Sequence, residues 1–420
     1  MYFTGLTLDH WRQFAHVDIE MHPRITIITG ANGAGKTTIL KLLSQHFGWN
    51  YPLLATPKIS KESGGIKYVT DLFRHLFKTA DNAPPNSVGT ITYSNNAKAH
   101  ILVPETGGIS YSAQISNQQG ILGVHINSHR PLQSYQQINA IPTNAIGAEQ
   151  AYQSYWQEVI NKYQGGYTQY SPIYRMKESI ISMATFGPGN TNVQKNPELE
   201  KLFLDFKKVL AKVLPPSIGF VDINIRIPDV VLVTRTGEFV LDAASGGLMA
   251  IIDLAWQIFL FSHNKDEFVV TIDEPENHLH PSMQRSLLRR LSDAFPRAQF
   301  IVATHSPFIV SSVKDSFVYA LKYSDSQPVE TDDFTDKKVS SLKLDLNRKA
   351  ASAGEILRDV LGVPVTLPEW AEEDLRGIAN EFSGQEVSEE MLNRLRERLT
   401  LSGLSEYFPD ALKVVVGQRL

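Results

Sequence analysis

Arg24-Ile25-Thr26-Ile27-Ile28-Thr29 runs directly into Gly30-Ala31-Asn32-Gly33-Ala34-Gly35-Lys36-Thr37, and helix-forming residues follow from Lys36 to Leu43. The first six form a β-branched run suited to a buried strand. The next eight satisfy G-x-x-x-x-G-K-[ST] at every position. Glycines there let the backbone close around a chain of phosphates, with successive N–H groups facing the oxygens. A helix beginning at Lys36 adds the positive end of its dipole. In such a loop Lys36 reaches the β- and γ-phosphates and the Thr37 hydroxyl ligates magnesium. A glycine-rich turn by coincidence would not sit between a strand and a helix.

The ligand implied is ATP with Mg²⁺, held by Gly30, Asn32, Gly33, Ala34, Gly35, Lys36, Thr37 and Thr38. Downstream, Phe268-Val269-Val270-Thr271-Ile272-Asp273-Glu274 is an apolar strand with two carboxylates at its carboxyl end, where α/β sheets bind ligands. Asp273 then holds magnesium through water, and Glu274 polarises the attacking water as general base. An ordinary strand ending in an acidic turn is common, so this motif gains its meaning from the phosphate loop upstream. Two further motifs are weak alone. Ser245-Gly246-Gly247 precedes an apolar helix, Leu248–Phe261, and offers an anion site at the helix start. Ile301-Val302-Ala303-Thr304-His305 is a buried strand ending in a histidine, more often a turn residue than a functional one.

Outward from these motifs, the chain opens with strands at Thr4–Leu8 and Phe14–Glu20 before the strand at Arg24–Thr29. A helix is expected over Ile66–Lys78 and an antiparallel meander between Val88 and Asn127. Residues 131–216 are rich in Gln, Asn and Tyr, with helical stretches at Glu149–Tyr163 and Pro197–Leu214. Strand character returns at Ile218–Ile227, Val230–Thr234 and Glu238–Leu241. After Ser324 an acidic, loose stretch leads to a helical tail. There Leu375, Ile378 and Phe382 share one face and Leu392, Leu395 and Leu399 another, faces that must be buried on the head or on another subunit.

With 420 residues, 42% of them hydrophobic and 20% charged, the chain has the composition of a globular protein. A net charge of −4 makes the whole molecule no magnet for nucleic acid, so any DNA surface would be a local basic patch. There is no cysteine, which excludes disulfides and thiolate metal sites. The start of the chain lacks a secretion pattern, and the apolar run Leu248–Phe261 is too short to span a bilayer. The expectation is a cytoplasmic protein with no membrane partner.

The order of motifs, with the strings TGANGAGKTT at 29–38, DEPENHLHP at 273–281 and ATHSPFIV at 303–310, resembles the ABC-type ATPase heads of the RecF, SMC and Rad50 group. More narrowly it resembles compact bacterial ATPases related to the overcoming-lysogenization-defect family, such as the ATPase subunits of the PARIS and Septu defence systems. The resemblance covers residues 1–130 and 217–322. It implies an α/β P-loop NTPase with an ABC-type head, in which a mixed central sheet joins an antiparallel β subdomain. The layout is then 1–130 as the N-terminal lobe, 131–216 as a helical insertion, 217–322 as the C-terminal lobe and 323–420 as a mainly helical region.

The resemblance also assigns roles. Ser245, Gly246 and Gly247 match the signature that binds the γ-phosphate held by a second subunit. His305 matches the switch histidine, catalytic with Glu274 and Lys36, and Asn277 to His280 match the loop touching the opposite subunit. A glutamine following the strand near Asn127 senses magnesium. Gln133 and Gln136 are the candidates, and Gln133 is placed with Thr37 and Asp273 as the metal set. Arg12 is a candidate neighbour of the base or phosphates. His278 and His280 invite a metal reading, which the subunit-contact role displaces. Ala244-Ser245-Gly246-Gly247-Leu248 departs from the usual signature in lacking Leu before Ser and a polar residue after the glycines.

The function implied is an ATPase switch that dimerises, or forms a larger homo-oligomer, around ATP and controls a separate effector, a nuclease or toxin, in anti-phage defence or nucleic-acid surveillance. The tail shows no glutamate and paired-aspartate arrangement of a Toprim nuclease. A RecF-like DNA-repair ATPase is the alternative, with DNA as partner. A transporter ATPase prefers a full Leu-Ser-Gly-Gly-Gln signature, and a non-hydrolysing scaffold would not keep Lys36, Thr37, Asp273, Glu274 and His305.

Overall fold

In the computed structural model the chain begins with a hairpin, β1 (Phe3–Trp11) and β2 (Phe14–Glu20), followed by β3 (Ile25–Gly30) and α1 (Lys36–Ser44). Residues 1–59, 66–70, 84, 86–104, 108–129, 135–323, 339–345, 350–361, 368–385 and 387–416 are described. They divide into two compact units, Met1–Ala350 and Ala351–Leu420. After α1 come the short strands β4 (Leu53–Leu54), β5 (Thr56–Ile59) and β6 (Ile66–Val69), then β7 (Ser87–Tyr93), β8 (Lys98–Leu102), β9 (Ser110–Tyr111), β10 (Gln114–Ser116) and β11 (Gly123–Ile126). Three helices follow, α2 (Ala148–Tyr163), α3 (Pro172–Phe186) and α4 (Pro197–Val213), and then a separate sheet of β12 (Phe220–Arg226), β13 (Asp229–Thr234) and β14 (Gly237–Val240). The remainder of this unit is α5 (Gly246–Ser262), β15 (Phe268–Asp273), α6 (Pro281–Ala294), β16 (Ala298–Thr304), α7 (Pro307–Val310), β17 (Phe317–Tyr323) and β18 (Val339–Lys343).

Eleven strands make one mixed sheet in the order β10-β8-β7-β1-β2-β18-β17-β3-β16-β15-β11. From β11 to β17 every neighbour is parallel. Each residue of β3, β15 and β16 is buried, as required of parallel strands covered on both faces. The other end, β2-β1-β7-β8-β10, is antiparallel. This is the mixed central sheet with an antiparallel portion that the resemblance implied. The main core runs beneath both halves and includes Phe3, Leu8, Trp11, Ile28, Leu40, Ile91, Val269 and Ile301. Helix α5 is buried along nearly its whole length. Its two interrupting polar residues are satisfied inside it: Asp253 accepts from the Tyr155 hydroxyl of α2 and from Gln257 Nε2.

Four sequence expectations need correction. The helix expected over Ile66–Lys78 begins as strand β6, whose Ile66, Tyr68 and Val69 pair with Ile59, Pro57 and Thr56, and residues 71–83 lie outside the described residues. β11 does not belong to the meander; it pairs in parallel with β15 at the far edge of the sheet. The insertion holds a third helix, α3, capped by Ser171 accepting from Tyr174 N–H with Pro172 in the first turn. Apart from the partly exposed Arg175, its residues are buried from Pro172 to Met183, so no amphipathic period marks it. Lastly, β18 lies inside the main sheet between β17 and β2, so the head continues past residue 323.

The described residues of the second unit include the helices Glu369–Glu381, Glu389–Leu401 and Phe408–Val415. Leu375, Ile378 and Phe382 pack with Met391, Leu395, Leu399, Leu404, Ala411 and Val415 in a core of their own. Those apolar faces therefore cover each other, and neither the head nor a second subunit is needed for them. Among the described residues no helix is long and apolar enough to cross a membrane.

Candidate nucleotide site

The parallel register brings the carboxyl ends of β3, β15 and β16 to one edge, and the expected site residues with them. The loop after β3 is glycine-dependent at two positions in particular. Gly30 has φ +148°, and a Cβ there would stand 2.5 Å from the Leu321 carbonyl oxygen. Gly35 has φ +101°, and a Cβ would stand 2.4 Å from the Phe14 ring. The β1–β2 turn thus lies over the phosphate loop, and Arg12 sits in that turn at φ 52° with its guanidinium over Trp11. Lys36 is buried, and its Nζ donates to the carbonyls of Gly30 at 2.8 Å and Ala31 at 3.1 Å. Burial lowers its pKa, and the carboxylates of Glu274, Asp273 and Glu276 oppose that shift.

Thr37 Oγ1 donates to Asp273 Oδ2 at 2.9 Å, which joins the phosphate loop to the end of β15. The other oxygen, Asp273 Oδ1, is buried without a hydrogen-bond partner. Desolvation pushes the Asp273 carboxyl up to about 6, against the Thr37 hydrogen bond and with a further push from Glu274. A hydroxyl beside an unpartnered carboxylate oxygen fits magnesium, which takes hard oxygen ligands and is held by one or two protein groups with phosphates and water. Among the described residues no group of three or more His, Cys, Asp or Glu is placed to hold a metal ion, His278 and His280 included.

Glu274 begins the turn after β15 in a left-handed conformation, φ 48°, with its N–H on the Ala303 carbonyl at 2.8 Å. A non-glycine residue held there stores strain of the kind found at functional sites. Glu274 Oε2 accepts from Asn277 Nδ2 at 3.1 Å, and the same amide donates to the Ser128 carbonyl at 3.2 Å. His305 stands at the end of β16 with its Nδ1 3.6 Å from Glu274 Oε1 and 3.3 Å from Glu276 Oε1. Lys36, Thr37, Asp273, Glu274 and His305 are therefore brought together by contacts or charge coupling at one sheet edge.

Ser245 caps α5 by accepting from Leu248 N–H at 3.4 Å, and Ser245 and Gly246 are exposed. A Cβ on Gly247 would stand 2.8 Å from the His278 carbonyl, so the helix start packs against the turn that follows Glu274. Gln133 lies outside the described residues. Gln136 is used elsewhere: its amide donates to the Gln169 carbonyl and accepts from Ser171 N–H, fastening the loop before α3.

Two residues at the site carried no sequence signal of their own. Asn127 follows β11, and the pairing Ile126↔Ile272 carries it beside Asp273. Its Oδ1 accepts from the Tyr51 hydroxyl at 2.8 Å and lies 3.2 Å from His125 Nε2, while its Nδ2 is buried without a partner. Glu276 is buried against Thr304 and His305. Only strand register and long-range pairing reveal either.

These parts define a P-loop nucleotide site at the carboxyl edge of a mixed α/β sheet, an arrangement that resembles ABC-type ATPase heads. Residues 6–207 match the family model described as AAA domain, and residues 192–311 match the one described as AAA domain, putative AbiEii toxin, Type IV TA system. The chain is 27% identical over 163 residues to the Septu protein PtuA of Bacillus mycoides (strain KBAB4), covering 37% of this chain and 20% of that protein. It is 27% identical over 150 residues to the Retron Vc95 probable ATPase of Vibrio cholerae serotype O1 biovar El Tor, covering 33% and 29%. The chain thus spans under a third of the length of either curated relative. Among solved structures it is similar to the SMC head domain from Thermotoga maritima, at TM-score 0.41 and 13% identity over 82% of this chain and 100% of that one.

Proposed function

We propose that this chain hydrolyses ATP with magnesium as a switch: ATP joins two copies, and the joined state controls a separate effector protein in a cytoplasmic defence system. The observation that carries the reading is the division of the site. Lys36, Thr37, Asp273, Glu274 and His305 converge at one sheet edge, whereas Ser245 and Gly246 open to solvent at the start of α5. An exposed, glycine-containing helix start is suited to the γ-phosphate of a nucleotide held by another copy. Relatives named as a Septu protein and a retron ATPase support the defence setting and a separate partner protein. The net charge of −4 gives no support to the RecF-like DNA-binding alternative.

In this reading Lys36 and the loop N–H groups bind the phosphates, and Thr37 and Asp273 would hold magnesium, which would supply charge neutralisation to the phosphates. Glu274 orients and deprotonates the attacking water, with Asn277 fixing its carboxylate. His305 and the second copy's signature face the γ-phosphate. Replacing Glu274 by Gln should lower ATPase turnover about 10²–10⁴-fold while leaving ATP binding intact. The same variant should accumulate as an ATP-bound dimer or larger assembly in size-exclusion chromatography. A wild type without ATPase activity removes the enzymatic reading, and a Glu274→Gln protein that stays monomeric with ATP removes the shared site. Pull-down from the native host with and without nuclease treatment separates a protein effector from DNA.

A further inference from the structure

Glu276 is the most enclosed carboxylate of the turn after β15, with its side chain 5% exposed. One oxygen, Oε1, accepts from the Thr304 hydroxyl at 2.7 Å and from the His305 backbone N–H at 2.9 Å. The same oxygen lies 3.3 Å from the His305 ring nitrogen Nδ1. The other oxygen, Oε2, is buried with no partner. A desolvated carboxylate is costly unless it is paired and hydrogen-bonded. Both of these bonds go to the end of β16, to its last residue Thr304 and to His305, which follows it.

The neighbouring turn is fastened the same way. Ser306 Oγ donates to Gln284 Oε1 at 2.5 Å, Gln284 Nε2 donates to the Leu279 carbonyl at 2.8 Å, and Ser306 N–H returns to Thr304 Oγ1 at 3.0 Å. The His305 ring is half exposed beyond these ties, with Nδ1 toward the two glutamates. Among these ties, Glu276 is the side chain that meets both the backbone and the ring of His305.

We infer that Glu276 is a positioning residue for the reaction: it sets His305 at the distance from Glu274 at which both face the same γ-phosphate and water. This rests on the proposed ATPase reading. Glu276 touches no substrate in this assignment and acts only through His305. Its effect therefore disappears when the histidine is gone.

The test is a double-mutant cycle on the full chain with Glu276→Gln, His305→Ala and the pair. The glutamine keeps an oxygen for Thr304 and the His305 N–H and removes the charge facing the ring. Each single change should lower kcat by about tenfold, a loss typical of supporting-shell substitutions, with KM for ATP held within about twofold. The double variant should be no slower than His305→Ala alone. Multiplied losses in the double variant, or wild-type kcat in a normally folded Glu276→Gln protein, overturn the assignment. A readout independent of turnover is the ¹⁵N spectrum of the His305 imidazole, which Glu276→Gln should shift. If the wild type fails to hydrolyse ATP, the ATPase reading falls by itself, and an unchanged imidazole spectrum then overturns the positioning role too.

Discussion

Asp273 places its two oxygens in different surroundings, one on the Thr37 hydroxyl and one buried and unpartnered. Asp273→Asn can keep the first contact and cannot supply a carboxylate for the second. Magnesium affinity in the presence of ATP should fall about 10–100-fold, the usual cost of losing a supporting metal group, measured by magnesium titration of ATP turnover. Unchanged magnesium dependence would remove Asp273 from the metal set. Gly35 makes a different demand on its residue, because φ +101° and the Phe14 ring both exclude a side chain. Gly35→Ala should destabilise the fold by about 1–3 kcal/mol or more, read by urea unfolding, and should abolish nucleotide binding. Both residues were legible in the sequence because their motifs are local. Asn127 and Glu276 were not, since strand register with β15 places the first and the second bonds to Thr304, both far along the chain. Of the two glutamine candidates, Gln133 lies outside the described residues and Gln136 fastens the loop before α3, while strand register brings Asn127 beside Asp273.

At the scale of elements, α3 shows why the insertion was half readable. Helices α2 and α4 carry one polar face each and announce themselves, whereas α3 is buried nearly all round and includes a lysine that is fully buried. Lys177 Nζ donates to both oxygens of Asp242 at 3.0 and 2.8 Å and to the Gln136 carbonyl at 2.6 Å, and Asp229 stands 4.0 Å away. One cation therefore ties α3 to the turn leading into Ser245 and to the segment around Gln136. Removing one member of a buried pair leaves the other charge unpaired. Lys177→Met should accordingly cost about 3–5 kcal/mol in urea unfolding. Adding Asp242→Leu should restore much of that loss, because the uncompensated carboxylate is then gone. Equal stability of Lys177→Met and wild type would mean that the pair contributes nothing to holding the insertion.

For the molecule as a whole, two histidines set its response to acid. His46 contacts the Leu43 carbonyl at 3.0 Å and the Tyr93 hydroxyl at 2.9 Å, and burial holds its pKa down at about 4. His125 lies between the Thr271 hydroxyl and Asn127 Oδ1, and burial likewise holds it down at about 4. Unfolded, each takes a proton near its ordinary 6.5. Between those values the unfolded chain binds more protons than the folded one, so stability is complete above about 6.5 and falls as pH drops toward 4. Each histidine contributes at most about 3 kcal/mol to that loss. Asp273 acts in the opposite sense. Its folded pKa is raised from 3.8 to about 6, so the folded state is favoured as pH falls through that range, by a term of similar size. Two terms against one leave a net loss, and urea midpoints should decline from about pH 7 to about pH 5. Magnesium and ATP should steepen the decline, because a bound metal requires the ionised carboxylate and removes the opposing contribution. A His46→Gln, His125→Gln double variant should be less stable at neutral pH and should show midpoints that no longer fall with acid. Midpoints that rise toward pH 5 in the wild type would show that Asp273, not the histidine pair, governs the acid response of the head.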